Sequence, residues 1–481
     1  IGASLVAANI SAEQIIGMSG EGFRIGLAIA AYEWQAAIVL IIVAKYLLPI
    51  FLKREIYTMP QFLETRYGEG VKVTMSGFWI ALYTIVNLTA VMWLGALAVN
   101  TLTGASSFWG MAGLATFALA YSMYGGLKAV ALTDMLQVVI LIVGGFIIAW
   151  LTMGMIGGEG GVTNGFKRLY TEFPEKFDMI FEKDHFAYEK LPGIWTLLGG
   201  LWVLHFSYWG FNQYIIQRAL GAKNIREAQK GLVFAAALKL LMPLIIVLPG
   251  IAAVMLASPE MGAIDNSVLA GASDRAYPEV MKIMPSGLRG LIFAALIAAI
   301  ISSLASMVNS ISTIFTMDIY RDYIKKDRSE THYVMVGRIT AITAMVIALF
   351  VAKPLLGNLE SAFQAIQKFT GFIAPGIVAV FVMGMFYKRT NANGAFAMLA
   401  TTILVSYGLN AFMPELPFVN AIWVTFLSCL AIGALVSNVT TKPKDGQPVD
   451  LGDISFKTAK SFNIWTVIVI LSLVGLYAVF W

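Results

Sequence analysis

Ile1-Gly2-Ala3-Ser4-Leu5-Val6-Ala7-Ala8-Asn9-Ile10-Ser11-Ala12-Glu13-Gln14-Ile15-Ile16-Gly17-Met18-Ser19-Gly20 opens as an apolar run, breaks into amide, hydroxyl and carboxylate groups, and then becomes apolar again. A helix in lipid satisfies its own backbone and carries apolar side chains, so polar groups at mid-depth are kept where something binds. The stretch therefore predicts a membrane helix interrupted for a ligand.

The rest of the chain agrees with a membrane setting. Of 481 residues, 58% are hydrophobic and 13% charged, with mean hydropathy +0.77, against about 25% charged in soluble proteins. Apolar runs of membrane-crossing length recur to the end and predict thirteen helices, at 1–20, 25–52, 71–102, 108–124, 127–155, 191–220, 231–257, 287–319, 333–351, 359–387, 394–412, 419–437 and 462–481. Short alternating strands of a β-barrel are not the pattern. The fold class expected is an all-α polytopic membrane protein.

Several functions are set aside by composition. The net charge of +5 comes from basic residues in short loops, which orient helices and do not point to nucleic acid. A single cysteine, Cys429, and three scattered histidines give neither a disulfide framework nor metal-ligand spacing. No Walker-type loop or H-E-x-x-H motif occurs, so no enzyme or direct use of ATP is expected and energy must come from a gradient. The chain opens on a candidate helix without a cleavable signal peptide or an initiator Met, and further residues are expected before Ile1.

Alternate loops carry the basic residues: Lys53, Arg54, Arg66 and Lys72; Lys128; Arg218 to Lys230; Arg321 to Arg328; Lys388 and Arg389; and Lys442 to Lys460. By the positive-inside rule these face the cytoplasm, which places a multi-pass protein in the inner (plasma) membrane with its first helix running outward.

A second interruption lies at His205-Phe206-Ser207-Tyr208-Trp209-Gly210-Phe211-Asn212-Gln213 in the sixth helix. Five helices separate the two starts, so the two broken helices run in opposite directions. This is the pattern of an inverted repeat with a midplane site, rather than of two polar patches in packed helices. It divides the chain into a first repeat (1–157), an outer loop (158–190), a second repeat (191–388) and peripheral helices (389–481).

Two charges fall inside the membrane. Glu33 in the second helix and Lys239 in the seventh each lie about a dozen ångströms from the helix start; they are expected to pair, as a structural ion pair or around a polar ligand's hydroxyls. Glu13 and Gln14 add hydrogen-bonding groups. Tyr208-Trp209, an aromatic face beside amides and acids, suits a sugar ring and its hydroxyls. Ser302 and Ser303 in the eighth helix, facing carbonyls freed between Ala7 and Ile10, offer an oxygen shell for a small cation, although small residues there also serve close helix packing. Asp134 either guides a departing cation or anchors the fifth helix, after a turn at Tyr124-Gly125-Gly126-Leu127. Ala374-Pro375-Gly376 is a candidate hinge beside Gln364 and Gln367, whereas Pro243 and Pro249 read as ordinary kinks.

Taken together, the Ala7 to Gln14 block, Tyr32-Glu33-Trp34, Tyr124-Gly125-Gly126-Leu127 with Asp134 and Gln137, Tyr208 to Tyr214, Lys239, and Ile301-Ser302-Ser303-Leu304-Ala305-Ser306 resemble the sodium/solute symporter family, in particular its bacterial sodium/galactose branch. The resemblance covers essentially the whole chain. It implies a LeuT-type core of ten helices and sodium-coupled sugar symport by alternating access. It also implies sugar contacts at Asn9, Gln14, Glu33, Tyr208, Lys239 and Gln367, with Trp209 packed beside Tyr208. For sodium it implies the carbonyls of Ala7, Ile10 and Ala299 and the hydroxyls of Ser302 and Ser303, with Asp134 on the exit path. Ala36 and His205 depart from the serine and asparagine of the galactose branch and alter hydrogen bonding near the sugar, leaving the epimer open. The competing readings are a sodium symporter for another small solute and a transporter-like solute sensor.

Overall fold

The computed structural model describes residues 9–56, 58–440 and 448–481, apart from the side chains of 124–135. Among the described residues there is no strand, and nine helices are long and apolar enough to cross a membrane; the bent pair Ala362–Gly371 and Ala374–Phe386 makes a tenth. Thirteen passes are nevertheless found among the described residues, because three of them are hidden by how the helices join or break.

The first case is the run Glu13–Lys53. Gly17 packs against Phe363, and the Tyr32 ring meets the same Phe363 side chain edge-on at 5.2 Å. Residues on both sides of Gly26 thus lie at one depth, and the chain has turned back. Gly26 makes the turn with φ +83°, and its α-carbon lies against the carbonyl of Lys176. The Lys176 ammonium donates to the carbonyls of Phe23 at 3.0 Å and Arg24 at 2.7 Å, closing the end of the first span from the outer loop. Gly26→Ala places a β-carbon into that carbonyl at a backbone angle L-residues avoid. It is expected to destabilise the protein by roughly 1–3 kcal/mol, read as a lowered thermal midpoint in detergent.

The second case is the helical run Ser107–Gly157. Gly95 packs against both Leu114 and Ile300, and Ser122 donates to Asn309 at 2.5 Å, so from 114 to 122 the run advances along the eighth span, whereas Gly144 packs on Ile292, back toward that span's start. Both ends of the run meet outer-loop partners: Asn100, just before it, bonds Arg275, and Arg168, just after it, bonds both the Ile156 carbonyl and Glu260. With both ends on the outer side, the run supplies two spans, the fourth and the fifth. The backbone at Tyr124-Gly125-Gly126-Leu127, where the sequence places a turn, is helical, and its side chains lie outside the described residues.

The third case is the sixth span, which is assembled from Ile194–Leu198, Leu201–His205, Phe206–Gly210 and Gln213–Leu220. Its unwound point is Phe211–Asn212. Asn212 starts the last piece by accepting from the Tyr214 amide at 3.2 Å. The tenth span bends by 44° at 372–373, directly before Ala374-Pro375, where the sequence places a hinge. Pro243 and Pro249 sit within an unbroken Ile225–Leu256. That helix begins six positions earlier than its apolar run, because Asn224 caps it through the Glu227 amide at 3.0 Å and its polar first turn is solvated.

Wide, π-type turns replace regular helix at Glu13–Met18, Leu82–Leu88 and Phe206–Gly210. All three border one central cavity. Such turns insert an extra residue and occur disproportionately at functional sites.

Candidate functional site

The cavity lies between the first, second, third, sixth, seventh and tenth spans and has a volume of about 70 Å³, room for about two water molecules at roughly 30 Å³ each. Every sugar-contact residue expected from sequence lines it: Asn9, Gln14, Glu33, His205, Tyr208, Trp209, Lys239 and Gln367, together with Ala36. Glu13, Tyr32, Asn87, Phe363 and Thr370 are also among its lining residues.

Within it the Lys239 ammonium donates to both Glu33 oxygens, at 2.9 and 2.7 Å, and to the Asn9 side-chain oxygen Oδ1. The side chains are 1% and 3% exposed, so the pair is fully desolvated and each charge depends on the other. The ammonium also stands 5.0 Å over the Trp209 ring, a cation–π contact that adds to its stabilisation.

From Asn9 a chain of hydrogen bonds leads away from the pair. Its amide donates to the Tyr208 hydroxyl at 3.3 Å, and Tyr214 donates to the same hydroxyl at 2.9 Å. Tyr214 packs edge-on against Tyr83, which donates to Asn212 at 2.8 Å. The break in the sixth span is thereby tied to the third span and to the Tyr208 side chain. Sequence reasoning missed Tyr83, marked only as an aromatic in an apolar run, and gave Tyr214 no role beyond ending the Tyr208 to Tyr214 block.

Five of the residues around the cavity carry a buried polar atom with no protein hydrogen-bond partner: Glu13 Oε1, Gln14 Oε1, the Tyr32 hydroxyl, Asn87 Oδ1 and His205 Nε2. Buried polar groups are otherwise paired nearly everywhere, and each left bare costs about 1–3 kcal/mol. A ligand with several hydroxyls is the chemistry that would satisfy them, because a hydroxyl both donates and accepts. The rings of Trp209 and Phe363 offer it an apolar face.

The residues expected for sodium are only partly visible. Ala7 and the Asp134 side chain lie outside the described residues. Ile10 is a non-helical position at the first break, buried at 1% exposure. Ala299, Ser302 and Ser303 are buried on the eighth span, and the Ser303 hydroxyl has no protein partner. That orphan oxygen fits a small hard cation.

Sequence reading also missed a second cluster above the cavity. Glu21 and Asp274 are buried at 0% and 4% exposure, close to Arg24, which pairs with Glu360 at 2.8 Å. Gln364 donates to Glu21 at 3.3 Å, and Asp274 accepts the Ala362 amide at 2.8 Å, which starts the tenth span. Burial holds the Asp274 carboxyl well above the usual range; Glu21 and Glu360 push the same way, against the Ala362 amide and Arg24. Because the folded pKa is raised, the stability this group contributes is present below the unfolded value near 4 and is lost as pH rises through the folded one. Asp274→Asn keeps the acceptor without the charge and is expected to flatten that dependence. Asp274→Ala bares the Ala362 amide and is expected to cost about 1 kcal/mol. Thermal midpoints across pH compare the two.

Comparison with known proteins bears on what this arrangement serves. A family model described as the sodium:solute symporter family matches residues 1–401. A sodium/glucose cotransporter of Vibrio parahaemolyticus is 48% identical over 100% of this chain and 90% of its own length. A sodium/myo-inositol cotransporter 2 of Mus musculus is 33% identical over 84% of this chain, which spans 63% of that longer protein. A solved structure of a Na+-coupled sialic acid symporter, in a substrate-bound outward-open state, superposes with TM-score 0.77 at 22% identity, covering 92% of this chain and 90% of the other. That likeness shows the fold, a LeuT-type helical architecture.

Proposed function

We propose, because this chain belongs to the sodium:solute symporter family, that it carries a monosaccharide of the galactose or glucose type into the cell together with sodium, by alternating access. The observation that carries this reading is the set of five unpartnered polar atoms around one aromatic-faced cavity at the breaks of the first and sixth spans. Asn9, Gln14, Glu33, His205, Lys239 and Gln367 read the hydroxyls. Tyr208, backed by Trp209, closes the inner side of the sugar. Sodium, a substrate here and not a resident cofactor, binds the carbonyls of Ala7, Ile10 and Ala299 and the hydroxyls of Ser302 and Ser303, and leaves past Asp134.

The first repeat (1–157) and the second (191–388) move against one another around this site. The outer loop (158–190) covers them, and the helices of 389–481 stand outside the exchange. The protein sits in the inner (plasma) membrane. One sodium charge crossing 100 mV supplies about 2.3 kcal/mol, which concentrates a neutral sugar roughly fiftyfold before the sodium gradient is counted.

A cyclic polyol is the second reading, favoured by the relative named for myo-inositol, since a set of hydrogen-bonding groups reads hydroxyls whether or not the ring contains oxygen. A competition panel of galactose, glucose and myo-inositol against labelled sugar in proteoliposomes separates the two. Labelled sugar is expected to accumulate only with an inward sodium gradient, and counterflow distinguishes carriage from sensing. Uptake at full rate without sodium at clamped potential would sink the coupling.

A further inference from the structure

The sixth span divides two cavities. On the face turned away from the sugar cavity, Phe206 and Phe211 form one wall of a crevice of about 540 Å³, a size typical of ligand sites at roughly 300–1,000 Å³. Tyr46 of the second span, Val382 and Phe386 of the tenth and Phe426 of the twelfth stand opposite, and no charged residue lines it. Inside a bilayer, hydrocarbon is the chemistry that fills such a space.

One mouth of the crevice is marked by charge. Tyr46 packs on Phe456, just ahead of the last span, and Phe386 is the final residue of the tenth, so both lie at the cytoplasmic end. The Lys45 ammonium stands 5.2 Å over the Tyr46 ring, and exposed Lys388 follows Phe386 by two positions. Nearby Lys53 and Arg54 are engaged by Asp453 and Asp450, whereas no carboxylate pairs with Lys45 or Lys388 among the described residues. An apolar cleft below two unpaired cations matches one class of amphiphile.

We propose that this crevice holds an acyl chain of an anionic glycerophospholipid of the inner leaflet, its phosphate at Lys45 and Lys388, and that the chain braces the back of the sixth-span break through Phe206 and Phe211. A tail gains little over bulk lipid by entering a protein cleft, because both surroundings are apolar. The headgroup therefore supplies the preference, at about fivefold per basic residue near the surface.

The test uses the full chain, delipidated in detergent and titrated with palmitoyl-oleoyl phosphatidylglycerol or phosphatidylcholine, with bound lipid counted by native mass spectrometry. Phosphatidylglycerol is expected to be retained over phosphatidylcholine. Lys45→Gln is expected to lower its retention about fivefold, and Val382→Trp, which fills the crevice, to remove it. Ile470→Trp, in the neighbouring apolar cleft lined by Trp34 and Tyr477, is expected to leave retention intact. A thermal midpoint confirms that each variant is folded, and Val378→Phe replaces Val382→Trp should that one unfold. Equal retention of the two lipids, or unchanged phosphatidylglycerol binding after the crevice is filled, overturns the proposal.

Discussion

Lys239→Met is expected to abolish sodium-driven sugar uptake and to cost the fold about 3–5 kcal/mol, the range for removing one partner of a buried ion pair. The substitution keeps most of the apolar stem but leaves Glu33 at 3% exposure with no counter-charge and Asn9 without its strongest donor. Pairing it with Glu33→Leu removes both charges, and stability is then expected to return to within about 1–2 kcal/mol of the parent, since a matched apolar pair often equals a buried ionic one. Uptake is expected to stay absent. That split, with folding recovered and transport still lost, separates a ligand-reading pair from a purely structural one. Thermal midpoints and initial uptake rates in proteoliposomes measure the two halves, and wild-type uptake by the double variant would overturn the assignment of Glu33 and Lys239 to the sugar.

Ser303→Ala is expected to raise the sodium concentration needed for half-maximal uptake by more than about tenfold, the equivalent of losing one ligand worth about 1.4 kcal/mol. Its effect on stability is expected to have the opposite sign. The Ser303 hydroxyl is buried and bonds no protein group, so its removal relieves an unmet acceptor and is expected to stabilise the protein by up to about 1 kcal/mol. Ser303→Thr keeps the oxygen and is expected to restore sodium dependence. A sodium titration of uptake, set beside melting curves of the three proteins, is the measurement. An unchanged sodium requirement in Ser303→Ala would remove that hydroxyl from the ion site.

Much of this was legible in the sequence because lipid imposes so few solutions on a chain. Polar groups at Asn9 to Gln14 and at His205 to Gln213 stood out against apolar runs, and the structure brings both stretches to one cavity. Glu33 and Lys239 were visible as isolated charges at depth, and they meet at 2.7 Å. What stayed hidden depends on which faces touch. Tyr83 looks like an ordinary aromatic residue, and Tyr214 like no more than the end of the Tyr208 to Tyr214 block, until Asn212 and Tyr208 are placed beside them. Glu21 and Asp274 are far apart in sequence, and Asp274 reads as a loop residue until the tenth span begins on its carboxylate. The extra residues of Glu13–Met18, Leu82–Leu88 and Phe206–Gly210 leave no mark in composition, because a wide turn uses the same side chains as a regular one.

Those wide turns give the cavity wall the property of a screw with slack in its thread. When the surplus residue moves along by one position, every side chain it passes rotates by about 100° and advances by about 1.5 Å, while the backbone on either side remains bonded to itself. Three such threads meet at one chamber. Residues such as Gln14, Asn87 and Tyr208 can thus be turned toward or away from a cargo by a change that never bares a peptide group to hydrocarbon.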